Sequence, residues 1–181
     1  MDGTITDSGA VIMGTAQYAL DHFGYHDEPV EKLRRFVGPS LMDSFRNLYG
    51  FSEEKAAEAT RIYREKYEAG AMYDVTIYPG IVKLLQRCND AGEDCFVVTS
   101  KVWDSACLIL EKLGIMNLFR GVIGPARDDP SSDKDRLINR AVDNFSLKKS
   151  ECIMIGDTHF DIDGARRAGI DSIAVTYGYG D

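Results

Sequence analysis

Short apolar runs that alternate with helical patterns fill the second half of the chain, and they constrain its fold more than any other feature. The runs Cys95–Val98, Cys152–Ile155 and Ser172–Thr176 have the length of strands, and amphipathic helical patterns separate them. Continuous apolar strands joined by helices are typical of parallel sheets that are buried on both faces. The sequence therefore predicts an α/β fold built on a parallel sheet.

The first half of the chain has a different pattern, in which one amphipathic helix follows another without a strand. Gly24 ends the first of these helices, and Ser52 opens a later one. A helical run that interrupts an α/β pattern indicates an inserted unit. We therefore expect residues 1–9 and 77–181 to form the α/β core, with residues 10–76 as an all-helical insert.

Composition and charge exclude several classes of partner. The 181 residues are 44% hydrophobic, enough for one core domain with a small insert. The net charge of −8 repels nucleic acid and anionic membrane surfaces. The four cysteines have no zinc-site spacing, and Cys88, Cys95 and Cys152 fit buried apolar positions. Without a signal peptide or a membrane-length apolar run, we expect a cytoplasmic protein that binds neither nucleic acid nor membrane.

Polar residues follow the predicted strands, at the edge where parallel sheets bind ligands. Thr99-Ser100-Lys101 follows one strand, Asp157 and Asp161 follow another, and Asp2-Gly3-Thr4 opens the chain. Taken singly, the two tripeptides fit a helix cap and a turn, and Lys134 fits a solvated surface lysine. The two carboxylates after one strand crowd negative charge that a cation would offset. Together the set favours a site for Mg²⁺ and phosphate.

The order of these motifs along the chain is more specific than any one of them. It is Asp2-Gly3-Thr4, a helical insert, Val97–Lys101, Lys134 at a helix start, and Ile155–Ala165. This order resembles the haloacid dehalogenase superfamily, and more closely its phosphoglycolate-phosphatase-like branch, across essentially the whole chain. Two further stretches are similar to that branch, the substrate-facing loop of its helical cap and the stretch after its last motif: Phe36–Leu41 and Val175–Gly180.

The resemblance implies a Rossmann-like core, a helical cap and a phosphatase that uses Mg²⁺. Asp2 would protonate the leaving oxygen and give its backbone carbonyl to the metal. Asp157 would bind the metal directly, and Asp161 would bind it through water or orient the site. Carboxylate and carbonyl oxygens with added water suit the octahedral preference of Mg²⁺.

The resemblance also implies a phosphate-binding set. Thr99 and neighbouring backbone N–H groups would hold a phosphate oxygen, and Lys134 would steady the charge of the nucleophile and the phosphate. Gly3, Ser100 and Lys101 would complete the pocket. The partner would be a small phosphorylated molecule, bound by a monomer or a homodimer.

The attacking aspartate of this family has no counterpart in the printed sequence. In the family it stands two positions before the general acid and forms an aspartyl-phosphate. Asp2 corresponds to the general acid, Met1 to the residue between, and the strand expected between those of Val97-Val98 and Ile153–Ile155 is missing. The chain also stops at Asp181, before a further helix and strand of the family. The resemblance therefore favours a coding sequence that begins upstream of Met1.

Other interpretations stay open. A catalytically inactive regulatory protein that binds phosphate and Mg²⁺ would also lack the attacker. A dehalogenase would use Lys134 but does not need metal-binding carboxylates, and Asp2 as a shifted attacker has no strand to aim it. For a phosphatase, phosphoglycolate, a nucleoside monophosphate or pyrophosphate fits the branch. Arg34, Arg35 and Arg46 are candidate contacts for a substrate anion, unless they form a solvated helix face.

Overall fold

The computed structural model describes residues 1–127, 129 and 133–180. The helices, in chain order, are α1 (Gly9–Asp21), α2 (Val30–Arg34), α3 (Leu41–Tyr49), α4 (Glu53–Glu68), α5 (Ile81–Asp90), α6 (Trp103–Lys112), α7 (Lys134–Phe145) and α8 (His159–Ala168). The strands are β1 (Thr6–Asp7), β2 (Thr76–Ile77), β3 (Phe96–Val98), β4 (Gly121–Ile123), β5 (Ile153–Gly156) and β6 (Asp171–Ala174). Residues 128 and 130–132, between β4 and α7, lie outside the described residues, as does Asp181.

The helical segment, residues 9–73, forms where the sequence predicts successive helices. The side chains of Ser40 and Ser52 each accept a hydrogen bond from a backbone N–H in the first turn, and so cap α3 and α4. Aromatic rings fill its interior, where the ring centroids of Phe36 and Phe45 lie 5.0 Å apart. Both rings are almost fully buried, so this segment has a packed core of its own.

The strands pair in twos. β3 and β4 are parallel, with Val97 opposite Val122, and β5 and β6 are parallel, with Ile155 opposite Ile173. In the part of the chain that the structure describes, no strand joins these two parallel pairs. The α/β class and the parallel pairing that the sequence predicts are confirmed, as two small sheets.

The prediction that the strands are buried on both faces is wrong for β5 and β6. Met154 packs on the α7–α8 side against an apolar cluster, but Ile153 is 52% exposed and Ile155 is 42% exposed. Side chains alternate between the faces of a strand, so α8 covers only every second residue of β5. Ile173 in β6 is exposed in the same way, at 49%.

The beginning of the chain contains a short strand. Thr6 and Asp7 form β1, which pairs antiparallel with Thr76 and Ile77 in β2. The side chain of Thr6 is fully buried. A strand of two residues is too short to show the apolar–polar alternation by which a strand is recognised in a sequence. Its formation therefore depends on pairing with β2, far along the chain, and not on local propensity.

Two expectations from composition can be compared with the structure. Cys88, Cys95 and Cys152 are half-buried and not fully buried as predicted, and all four cysteines are free thiols. None of the helices in the described ranges has the length and apolar character needed to cross a membrane.

The helical segment packs directly on the α/β part. One cluster of buried apolar side chains includes Leu20 and Ala59 of the helical segment together with Val97 of β3 and Ile109 of α6. This packing places α4 beside the loop that follows β3. The boundaries 10–76 for the insert and 1–9 with 77–181 for the core stay predictions.

Candidate active site

Three loops meet at the carboxyl ends of β3 and β5. The loop after β3 carries Lys101, the loop after β5 carries Asp157, and the first loop of the chain carries Asp2 and Thr4. The ammonium of Lys101 lies 3.3 Å from a carboxylate oxygen of Asp2. The hydroxyl of Thr4 donates to Asp157 across 2.9 Å. The structure therefore brings together motifs that are more than 150 residues apart.

Asp2 is held from two sides. Ser8 donates its hydroxyl to Oδ1 across 2.6 Å, and Lys101 pairs with Oδ2. Burial opposes ionisation of this carboxyl, but the positive groups beside it, Lys101 first, outweigh burial and hold the pKa of Asp2 below its ordinary value. The described arrangement therefore favours the ionised form of Asp2.

Lys101 reaches from the α/β part to the helical segment. Its Nζ donates to the hydroxyl oxygen of Tyr67 in α4 across 2.7 Å, while its side chain is only 11% exposed. Burial would lower the pKa of Lys101, but the charge of Asp2 and the contact with Tyr67 raise it above its usual range. The ammonium is therefore charged and contacts two groups, the Asp2 carboxylate and the Tyr67 hydroxyl.

Lys134 forms a second lysine–carboxylate pair. It is the first residue of α7, and its Nζ lies 3.0 Å from Oδ1 of Asp161 and 3.4 Å from the carbonyl oxygen of Val98. Thr158 donates its backbone N–H and its hydroxyl to Oδ2 of Asp161, which forms the capping box of α8. Burial opposes ionisation of Asp161, but the nearby ammonium groups, Lys134 first, and Thr158 lower its pKa.

Asp157 is bound by neutral donors. Thr4 donates to Oδ1, and the backbone N–H of Tyr179 donates to Oδ2 across 2.9 Å. Gly3 has a φ of +76°, and a Cβ at this position would lie 2.0 Å from Oδ2 of Asp157, so the close approach requires glycine. Among the ion pairs of the described residues, none includes Asp157, although this residue is only 9% exposed.

The predicted phosphate-binding residues are distributed around this site. Thr99 is 3% exposed, its backbone N–H donates to the carbonyl of Ile123, and its hydroxyl accepts from the N–H of Lys101. Ser100 and Lys134 line a cleft between the helical segment and the α/β part. The N–H of Thr99 is therefore used by the sheet. Its hydroxyl hydrogen is the Thr99 donor that is left to bind a ligand.

The cleft has a volume of about 760 Å³ and reaches from α2 and α3 to the start of α8. Arg34 and Arg35 line it, whereas Arg46 is not among its lining residues. Arg34 donates to the backbone carbonyls of Gly178 and Tyr179. A smaller cavity of about 510 Å³ beside Trp103 and Arg140 includes none of the predicted site residues, whereas the larger cleft borders the site through Ser100 and Lys134.

The carboxylates predicted to bind Mg²⁺ lie in separate networks. Asp2 contacts Lys101, Asp161 contacts Lys134, and Asp157 contacts Thr4 and Tyr179. Over the described ranges, no three His, Cys, Asp or Glu side chains are grouped in a way that could hold a metal ion. Asp157 is the carboxylate of this set whose charge has no lysine or arginine partner there, so its oxygens suit a hard cation best.

Several residues of the site were not predicted from the sequence. Ser8 directly precedes α1, but its hydroxyl binds Asp2 and makes no capping bond to that helix. Tyr67 contacts Lys101 from 34 residues away, and no local pattern marks it. Thr4 belongs to the Asp-Gly-Thr motif, so its proximity to the site was detectable, but its bond to Asp157 was not.

Comparisons with known proteins agree with the fold. Residues 1–175 match the model of the haloacid dehalogenase-like hydrolases. A 5'-nucleotidase of Pseudomonas aeruginosa is 34% identical over 180 residues, which are 99% of this chain and 81% of that protein. The tyrosine-protein kinase PtkA of Mycobacterium tuberculosis is 32% identical over 180 residues, 99% of this chain and 61% of that protein. The crystal structure of a predicted phosphatase from Clostridium acetobutylicum superposes with a TM-score of 0.96 at 36% identity, covering 100% of this chain and 84% of that one.

Proposed function

Because this chain belongs to the haloacid dehalogenase-like hydrolases, and is a phosphoric monoester hydrolase of that type, we propose that it removes phosphate from a small metabolite with the help of Mg²⁺. The observation that carries this proposal is the meeting of the Asp2-Gly3-Thr4 loop with Asp157 beside a cleft of about 760 Å³. That volume suits a small phosphorylated molecule.

The proposed metal position lies at Asp157. Its buried carboxylate has neutral donors from Thr4 and Tyr179 and no ion pair with a described residue, so a cation would offset its charge. Asp157 would bind Mg²⁺ directly, with the backbone carbonyl of Asp2, and Asp161 would act through water. Mg²⁺ commonly takes one or two carboxylates and keeps several waters. When bound, it would neutralise phosphate charge.

The chain's own side chains would then bind the phosphate and move a proton. Asp2 would donate a proton to the leaving oxygen and later take one from water. The Thr99 hydroxyl and the Lys134 ammonium would hold phosphate oxygens, and Gly3 and Ser100 would line the pocket. The expected attacking aspartate would precede Met1, and the coding sequence upstream of Met1 tests that expectation: an in-frame stop there contradicts it.

The substrate would be held in the cleft between the helical segment and the α/β part. Arg35 lines the cleft without a polar partner among the described residues, so it is the first candidate for a second anionic group of the substrate. Phosphoglycolate, nucleoside monophosphates and pyrophosphate are the substrates to try. We propose a cytoplasmic monomer or homodimer with no nucleic-acid or membrane partner.

The test is release of inorganic phosphate from these esters, with and without Mg²⁺, by the full gene product and by the printed chain. We expect release that needs Mg²⁺ and that Asp157→Ala abolishes. Asp163→Ala in α8 is the matched control, because Asp163 is an acidic residue near Asp157 that pairs with exposed Arg166. Release of free phosphate would show hydrolysis, whereas transfer of the phosphoryl group to a protein side chain would release none.

Binding of Mg²⁺ and phosphate without turnover by the full gene product would contradict the proposal. That outcome would support the alternative of a regulatory phosphate-binding protein. Turnover that survives Asp157→Ala would contradict the assignment of the metal position.

A further inference from the structure

The helical segment is linked to the predicted proton donor, Asp2, through Lys101. Tyr67 lies in the last turn of α4 and is 5% exposed. Its hydroxyl accepts from Nζ of Lys101 across 2.7 Å, and the same Nζ lies 3.3 Å from Oδ2 of Asp2 and 4.7 Å from the centroid of the Tyr67 ring. The link therefore runs from α4 through one lysine to Asp2.

Lys101 needs more than Asp2 to stay in place. A lysine ammonium has three donors on a flexible four-carbon stem, and ordering this stem costs rotamer entropy. Tyr67 supplies both a hydroxyl acceptor and a ring face for the cation. Without the hydroxyl, one ammonium donor would be left buried without its acceptor, and the lysine would move toward water.

We propose that Lys101 is a positioning residue for Asp2 and that Tyr67 fixes Lys101, so that the helical segment orients the proton-transfer carboxylate. This inference rests on the proposed function. In that reaction Asp2 first takes up a proton from water, the ester P–O bond breaks, the phosphoryl group passes to the attacking carboxylate, and the leaving oxygen takes the proton from Asp2. A misplaced Asp2 slows departure of an oxygen that needs this proton.

Packing is the competing role for Tyr67, and its neighbour Tyr63 separates the two roles. The two rings stack in α4 with centroids 5.5 Å apart, and both residues are 5% exposed. The Tyr63 hydroxyl makes no hydrogen bond to another described side chain, whereas the Tyr67 hydroxyl binds Lys101. Tyr67→Phe and Tyr63→Phe therefore remove the same atom from matched places and keep both rings.

The experiment compares two esters with the full gene product in Mg²⁺. An alkyl phosphate has a leaving oxygen that needs a proton, and p-nitrophenyl phosphate has one that leaves without it. General acid catalysis contributes on the order of 100-fold or more, so for the alkyl ester we expect Tyr67→Phe to lower kcat/KM about 10-fold and Lys101→Met about 100-fold. In Tyr67→Phe, KM should change less than about 2-fold, because this variant keeps every residue of the predicted phosphate pocket.

The aryl ester and the controls complete the expected result. With p-nitrophenyl phosphate, the kcat/KM of Tyr67→Phe and of Lys101→Met should stay within about 3-fold of wild type, since this leaving oxygen does not need a proton. Tyr63→Phe should match wild type on both esters. Lys101→Arg should recover part of the loss of Lys101→Met on the alkyl ester, because it restores a donor cation.

Two kinetic outcomes overturn the inference. An equal loss of kcat/KM on both esters would assign Tyr67 and Lys101 to folding or substrate binding. An unchanged kcat/KM in Tyr67→Phe on the alkyl ester would show that Tyr67 does not act on Asp2 through Lys101. If wild type hydrolyses neither ester, the proposed function fails, and crystal structures of the two tyrosine variants decide the positioning link by itself. The Lys101–Asp2 contact should open beyond about 4 Å in Tyr67→Phe and stay closed in Tyr63→Phe; an unchanged contact in both contradicts the inference.

Discussion

Two lysine–carboxylate pairs lie beside the candidate site, and they are built in different ways. Lys134 and Asp161 are 3.0 Å apart, with side chains 8% and 9% exposed, and both stand at the starts of neighbouring helices. Lys101 and Asp2 are 3.3 Å apart, with side chains 11% and 14% exposed, and both stand in loops. Both are buried lysine–aspartate ion pairs, but helices hold one pair and loops hold the other.

The difference teaches which pair depends on the helical segment. Asp161 is fixed within the α/β part by Thr158 and by the packing of α7 on α8. A Cβ at Gly164 would lie 2.5 Å from the Lys134 side chain, so glycine lets the two helices approach there. Lys101 instead requires Tyr67 from α4. The Lys134 pair should therefore affect stability most, and the Lys101 pair should affect orientation.

Breaking the Lys134 pair should have the largest effect on stability. Lys134→Met leaves the buried Asp161 carboxylate without its cation, and removal of one partner from a buried ion pair costs about 3 kcal/mol or more. We expect the free energy of unfolding at pH 7, measured by urea denaturation, to fall by about that amount. An exposed lysine of the same kind, Lys148→Met, is the control and should change it by less than about 0.5 kcal/mol.

The difference in unfolding free energy between wild type and Lys134→Met should become smaller as the pH falls. The pKa of Asp161 is lowered in the folded protein, so the stability from this pair is fully present above the unfolded carboxyl value of about 3.9 and is lost as the pH falls through the lower folded pKa. In Lys134→Met the carboxyl takes a proton more readily. Urea denaturation at pH 7 and pH 3 checks this, and an equal difference in unfolding free energy at both pH values would contradict it.

The third carboxylate, Asp157, has no lysine, and its position depends on the backbone of Gly3. Gly3→Ala would place a methyl group 2.0 Å from Asp157 and would strain a φ of +76°. We expect a loss of about 2 kcal/mol in unfolding free energy, from overpacking and left-handed strain. Gly92→Ala is the control for φ alone, because nothing lies near its added methyl group. Equal losses in both variants would show that contact with Asp157 adds nothing.

Ser8 tests the loop-built pair from its other side. Its hydroxyl donates to Asp2 across 2.6 Å, and a hydrogen bond to a charged group contributes about 1.5 kcal/mol. Ser8→Ala should lower the unfolding free energy by that amount in the same denaturation assay. Ser8→Thr keeps the hydroxyl and should retain most of the stability; a Ser8→Ala variant as stable as wild type would show that the bond contributes nothing.

The smallest effect is expected for a surface ion pair near the site. Arg166 pairs with Asp163 one turn away in α8, with the arginine side chain 78% exposed. Exposed pairs of this kind contribute about 0.5 kcal/mol or less. Arg166→Ala should therefore be indistinguishable from wild type in Tm by calorimetry, and a shift like that of Ser8→Ala would place this pair in the site network.

Much of the fold and of the candidate site was predictable from local patterns. α7 begins at Lys134, the predicted helix start, and β3 lies within the predicted strand. α8 begins at His159, because Thr158 and Asp161 form a capping box at its N-terminus. That capping box uses a carboxylate that the order of the motifs assigns to the metal.

The sequence by itself determined the alternation of strands and helices, the helical segment and the placement of the polar motifs after β3 and β5, because these depend on periodicity and on residues within a few positions of each other. Only the tertiary structure decided that Ser8 and Lys101 hold Asp2, that Tyr67 fixes Lys101, and that Gly3 packs against Asp157. Those contacts join residues up to 154 positions apart in the sequence, as in the contact between Gly3 and Asp157. The physical reason is that packing of the helical segment on the α/β part sets distances that no local propensity encodes.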